Sequence, residues 1–111
     1  MKRDYKLYIE DIKDSISQIE EYIKNVSEEV FRKDRKLQDA VIRRLQIIGE
    51  ASRNIPRSLK EKNKHVSWFS MSQLRDLITH SYFEIGINRI WRAIKEDLPK
   101  IKDSLRILKL V

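Results

Sequence analysis

One segment, Leu74-Arg75-Asp76-Leu77-Ile78-Thr79-His80-Ser81-Tyr82-Phe83, gathers an arginine, an acid, a histidine and a tyrosine within a few helical turns. On a helix advancing ~100° per residue, Asp76 and His80 lie one turn apart on the same face. The carboxylate can then accept a hydrogen bond from the imidazole and fix its tautomer. Arg75 and Tyr82 are seven residues apart and also share a face, with Thr79 between them. Arg75 and His80 are separated by five residues, ~140° of rotation, so a straight helix does not aim both side chains at one point. Either the helix distorts near His80, or the site forms where two such helices meet, which implies a homodimer.

The chemistry open to this set is narrowed by what the chain lacks. There is no cysteine, which removes thiol nucleophiles, disulfide scaffolds and Cys-based zinc sites. Two histidines are too few for a strong transition-metal site, and no close acidic cluster resembles a two-magnesium nuclease centre. Cleavage of RNA without a metal stays open, because RNA carries its own nucleophile in the 2′-hydroxyl. An imidazole with an unperturbed pKa of ~6.5 can take that proton, and a fixed guanidinium can stabilise charge developing on the phosphoryl oxygens. His80 and Arg75 suit those two roles. Residue types alone favour a plainer account, in which Arg75 is a solvated surface residue or ion-pairs with Asp76 or a neighbouring helix, His80 is half-buried and satisfied, and Tyr82 packs with its hydroxyl outward.

Other candidates carry plainer expectations. Gly49 within an apolar helix face predicts a close helix approach, and Glu50 beside it a salt bridge to a basic helix. Lys60, Lys62 and Lys64 could meet phosphates, although a solvated loop is the preferred reading. Trp68 and Trp91 fall at core positions and are read as anchors rather than base-stacking platforms. His65 has no partner at ligand spacing and takes no role.

The elements that must position these residues all read as helices. Two glycines and two prolines among 111 residues leave few places for strands to reverse. Tyr5, Tyr8, Ile9, Ile12, Ile16, Ile19 and Ile23 follow the three-and-four spacing of one helical face, with Asp4 as N-cap. Ser27 starts a short turn, and Asp34 caps a segment carrying Leu37, Val41, Leu45 and Ile48 that must stop near Arg53 or Asn54, before Pro56. Residues 57–67 read as a turn or two of helix plus loop. A third long helix starts near Ser67 or Ser70 and runs to about Phe83, interrupted by Gly86. A fourth begins around Ile87 and continues through Ile94, Leu98, Ile101 and Leu105, with Pro99 bending it or opening a fifth. The expected architecture is an all-α, four- to five-helix antiparallel bundle forming a single domain over residues 1–111. No apolar run approaches the ~20 residues that cross a bilayer, and no signal-peptide core follows Met1, so a cytoplasmic protein without a membrane partner is expected. Lys and Arg number 24 against 17 Asp and Glu, a net charge of +7, which favours an anionic partner.

Several of these segments together resemble one family. Arg75-x4-His80-x-Tyr82 resembles the R-x4–6-H motif of the HEPN superfamily (higher eukaryotes and prokaryotes nucleotide-binding domains), and the added x-Tyr resembles its HepT branch. The run from Leu37 to Ala51, with Asp39-Ala40-Val41 and Ile47-Ile48-Gly49-Glu50-Ala51, is similar to the HepT second-helix signature. Trp68, the stretch from Met71 to Phe83, and Ile90-Trp91 followed by Asp97-Leu98-Pro99 continue the similarity, which covers about residues 5 to 108.

The resemblance implies a HepT-like toxin of a toxin–antitoxin pair, an all-helical homodimer acting as a metal-independent ribonuclease on tRNA or mRNA with no cofactor. Arg75 and His80 would be its catalytic pair and Thr79 a supporting residue. Asp76 would support them from a position where the family commonly has Asn. Tyr82 would be the residue to which an MNT-type nucleotidyltransferase antitoxin adds AMP, placing a bulky anion on the Arg75 face. A competing expectation is a non-catalytic HEPN module that binds a nucleotide or the nucleotidyltransferase partner. A third is a purely structural helical adaptor.

Overall fold

The computed structural model describes residues 3–80 and 86–110, residues 79 and 80 through their backbone alone. Among the described residues all regular structure is helical, as the periodicity predicts. The elements are α1 (Tyr5–Ile23), α2 (Glu28–Lys33), α3 (Arg35–Arg53), α4 (Arg57–Lys62), α5 (Trp68–His80), α6 (Ile87–Arg92) and α7 (Leu98–Leu105), with a π-helical turn over Ala93–Asp97 between α6 and α7.

The expected caps start the helices. The Asp4 carboxylate accepts from the Lys6 amide at 2.9 Å, the Ser27 hydroxyl from Val30 at 3.2 Å and the Asp34 carboxylate from Leu37 at 3.0 Å. Each satisfies an amide that the helix itself leaves without a partner. The chain leaves α1 through Asn25 at φ 61°, a left-handed conformation that Asn tolerates better than most residues. Gly86 at φ 80° stands immediately before α6, a conformation open to glycine at little steric cost.

Helix α3 is central, packed by α1 on one side and α5 on the other. Ile12, Ile16 and Ile19 of α1, Val41, Leu45 and Ile48 of α3, and Met71 and Leu74 of α5 are all buried in one cluster. Phe31 of α2 reaches the same cluster and lies 5.1 Å, centroid to centroid, from Trp91 of α6, within the range of favourable tilted ring pairs. Trp91 is thus the core anchor the sequence suggests. Among the described residues no helix is long and apolar enough to cross a membrane.

The region around Pro99 follows the second sequence alternative, in which the proline opens a further helix, and adds a feature the sequence did not show. The helix beginning at Ile87 widens into a π-turn before the proline, with the Leu98 amide reaching back to the Ala93 carbonyl. Proline has no amide hydrogen, and its ring crowds the carbonyl four residues earlier, here Lys95 inside the wider turn. The π-turn absorbs that crowding, and Pro99 then lies in the first turn of α7, where its missing donor is harmless.

The start of α5 is fixed by a fully buried side chain, Asn63. Its amide nitrogen donates to the carbonyls of Leu59 and Lys109 at 3.0 and 2.8 Å, and its side-chain oxygen accepts from the Lys109 amide at 2.8 Å. Its backbone carbonyl accepts from the Trp68 indole at 2.9 Å. One residue therefore ties α4, the C-terminal segment and the first residue of α5 together. Replacing Asn63 with Ala strands the buried backbone groups of Lys109. The expected loss is about 2 kcal/mol, read in a thermal melt as a fall of roughly 8–16 °C for a domain of this size.

Candidate active site

Helix α5 turns Met71, Leu74 and Leu77 into the core while Gln73 and Asp76 stay exposed. Arg75 follows Leu74 and comes one turn after Met71, so it lies at the edge of the buried stripe, on the side that meets α3. What it meets there is glycine. A Cβ placed on Gly49 would stand 3.0 Å from the Arg75 Cβ, 3.1 Å from its backbone nitrogen and 3.3 Å from its Cα. Any side chain larger than hydrogen at position 49 would therefore press on the α5 backbone. The close approach anticipated for Gly49 is present, and it falls on Arg75.

The next residue of α3 completes the arrangement. The Arg75 Nε donates to a Glu50 carboxylate oxygen at 2.6 Å. A charge-assisted bond this short fixes the guanidinium from its Nε edge, while the same group carries four further N–H donors. Both partners stand at the surface, with side chains 42% and 49% exposed, so the pair contributes only about 0–1 kcal/mol to stability. Its larger effect is on direction, because it orients the guanidinium of a long side chain. The plainer sequence account had Arg75 solvated at the surface, or bonded to Asp76 or to a neighbouring helix, and the neighbouring helix supplies a partner. Glu50 makes the salt bridge expected of it, although the sequence did not name Arg75 as its counterpart. The signal was the Gly49-Glu50 pair itself, which marks a contact without saying what lies opposite.

The backbone of α5 continues as regular α-helix to His80. The helix distortion, one of the two alternatives the spacing left open, is therefore absent up to that residue, and positions 75 and 80 keep the ~140° offset of an ideal helix. The side chains of Thr79 and His80, and all of Tyr82, lie outside the described residues. Asp76 is exposed on the water side of α5, on the same stripe as Gln73 and position 80. Among the described residues no three His, Asp or Glu side chains gather as a metal-holding group. His65 is exposed. Trp68 is half-buried and anchored through its indole N–H, as a packing role requires.

Comparison with known proteins converges on one group. A family model described as Ribonuclease HepT-like matches residues 12–108. A protein of Thermococcus cleftensis named probable ribonuclease HepT is 42% identical over 109 residues, which is 98% of this chain and 99% of that one. A Methanocaldococcus jannaschii protein named as a gamma-glutamylcyclotransferase and candidate RNase is 41% identical over the whole of this chain, which spans only 49% of that relative's length. A second protein of that organism, named as a candidate RNase, is 40% identical over 96% of this chain and 98% of its own. No solved structure gives a significant match.

The helix contact makes a graded prediction. Gly49→Val should destabilise the fold by about 2–3 kcal/mol through forced separation of α3 and α5. Gly49→Ala should stay within about 1 kcal/mol of wild type, because the helix-propensity gain of up to ~1 kcal/mol offsets the crowding. Urea denaturation of the two variants checks the order.

Proposed function

The chain belongs to the HepT-like ribonuclease family, and from that premise we propose that it is an RNA-cleaving toxin of a toxin–antitoxin pair. Its catalytic pair in this reading is Arg75 and His80, acting in the groove of a homodimer on a tRNA or an mRNA. The observation that carries the proposal is the seating of Arg75 against Gly49 and Glu50 of another helix. A cation whose direction is set before substrate arrives costs no reorganisation when charge develops on the phosphoryl group.

The reaction follows from the two roles. His80 removes the proton of a ribose 2′-hydroxyl, the 2′-oxygen attacks the adjacent phosphorus, and the 5′-oxygen departs and is protonated. The products are a 2′,3′-cyclic phosphate end and a 5′-hydroxyl end. Arg75 stabilises the negative charge that builds on the non-bridging oxygens, so the reaction is metal-independent. Asp76, one turn before His80, orients the imidazole, and Thr79 supports the site from between Arg75 and Tyr82. The ~140° offset along α5 is resolved by a second copy of the chain, whose motif faces the same groove. Tyr82 is the site at which an MNT-type nucleotidyltransferase antitoxin adds AMP, and the anion added beside Arg75 closes the groove to RNA.

The test is incubation with total tRNA and with a generic mRNA in EDTA. Wild type should cut and leave cyclic phosphate ends. His80→Ala and Arg75→Ala should each lose on the order of 100-fold or more in rate while keeping the wild-type melt. Absence of cleavage by the dimeric wild type, or undiminished cleavage by both variants, would reject the proposal. Absence of cleavage would favour a nucleotide- or partner-binding module accompanying a nucleotidyltransferase.

A further inference from the structure

Helices α4 and α5 enclose a shallow groove of about 450 Å³ whose walls include Arg57, Lys60, Lys64, Trp68 and Phe69, with Glu61 as the one acidic side chain in its lining. The sequence suggested that lysines 60 to 64 form a solvated loop. The structure instead seats Lys60 against an aromatic face, its ammonium 5.8 Å from the centre of the Trp68 ring, within cation–π range. Burial lowers the Lys60 pKa from its ordinary value, so part of the cost of dehydrating that ammonium is already met before any anion arrives. Trp68 itself is immobilised by its bond to Asn63.

Phe69 has no evident task in the fold. It is 73% exposed, the most exposed of the large apolar side chains among the described residues. Residues 69, 73, 76 and 80 recur at three-and-four spacing along α5, which puts Phe69 on the same stripe as Asp76 and position 80, roughly 16 Å from the latter along the axis. The neighbouring Val66 is buried and Trp68 half-buried, so among the described residues Phe69 is the most exposed ring of a groove that Arg57, Lys60 and Lys64 also line. A protein interface would call for an apolar core around such a ring. An exposed aromatic face in a groove lined by Lys and Arg matches the recognition of single-stranded nucleic acid, in which bases stack on rings while the backbone follows the positive charge.

We propose that the α4–α5 groove is a substrate-docking subsite that binds a single-stranded stretch of RNA, with Phe69 stacking on a base and Arg57, Lys60 and Lys64 holding the flanking phosphates. This rests on the ribonuclease reading above and deepens it. The subsite feeds the strand along the outer stripe of α5 toward the Arg75 and His80 motif, and it requires a substrate long enough to span that distance.

The probe is a fluorescent 12-nucleotide RNA carrying 2′-O-methyl groups throughout, which cannot be cut by 2′-oxygen attack, followed by anisotropy over a salt series. Phe69→Ala should weaken binding by at least ~5-fold, whereas Phe69→Trp should retain wild-type affinity. The double change Lys60→Gln with Lys64→Gln should lower the slope of log affinity against log salt by about 1.4, or ~0.7 for each phosphate of the single strand that is no longer neutralised. All three variants alter surface groups, and unchanged melts would confirm that they fold. Wild-type affinity and salt slope in both Phe69→Ala and the lysine double variant would overturn the inference. So would a change in sedimenting mass with Phe69→Ala that accounts for the weaker affinity, since it would assign the face to a protein–protein contact. Because the probe is uncleavable, the outcomes separate. Cleavage of tRNA alongside unchanged groove-variant affinity removes the subsite alone, whereas groove-dependent binding without cleavage removes the ribonuclease reading and leaves the groove.

Discussion

The close approach on which the site depends is that of α3 to α5, made at a single hydrogen atom. With no side chain at Gly49, the backbone of α5 lies against α3 at Arg75, and the adjacent Glu50 is carried to the Arg75 guanidinium. Spacing between packed helices is set by the bulk of the residues at their contact point. A larger residue at 49 would move the arginine away from its carboxylate partner and α5 away from the core. The buried stripes of both helices converge on this geometry, since Val41, Leu45 and Ile48 face Met71 and Leu74 within one cluster.

The rest of the chain holds that contact from its ends. Asn63 fixes where α5 begins by binding Leu59, Lys109 and, through its carbonyl, the Trp68 indole. The π-turn over Ala93–Asp97 lets the last helical rod continue past Pro99 while keeping Ile94, Leu98 and Ile101 on the buried side. Arg32 of α2 bonds Asn88 of α6 at 2.9 Å, and Arg89 bonds Asp97 across the π-turn at 3.2 Å. These surface bonds add little individually. Stability comes from the apolar cluster.

Much of this was legible in the residues, for identifiable reasons. Helix positions follow from periodicity and from local capping chemistry, which is why Asp4, Ser27, Asp34 and the stop before Pro56 could be read directly. The exceptional character of Gly49 was visible because glycine lowers helix propensity and so needs a packing reason. Its counterpart was not, because pairing between α3 and α5 is a tertiary fact that no local spacing encodes, and Glu50 could have met any of many cations. The π-turn was hidden for a similar reason, since the proline signals a break but not how the backbone absorbs it. The groove beside Phe69 was also obscured. Lys60 looks solvated in sequence, and only the fold seats it over the Trp68 ring, in the groove that Phe69 also lines.

In the proposed ribonuclease, Glu50 acts through Arg75, setting the direction of a group that works on the phosphate. This role is tested most directly by measuring kcat/KM for RNA cleavage after Glu50→Gln, once in the wild-type background and once with Arg75→Lys. Misdirecting the guanidinium should reduce kcat/KM by on the order of tenfold to a hundredfold with the melt nearly unchanged, and the same change should cost little further once Arg75 is lysine. An equal reduction in both backgrounds, or none in the first, would contradict the account.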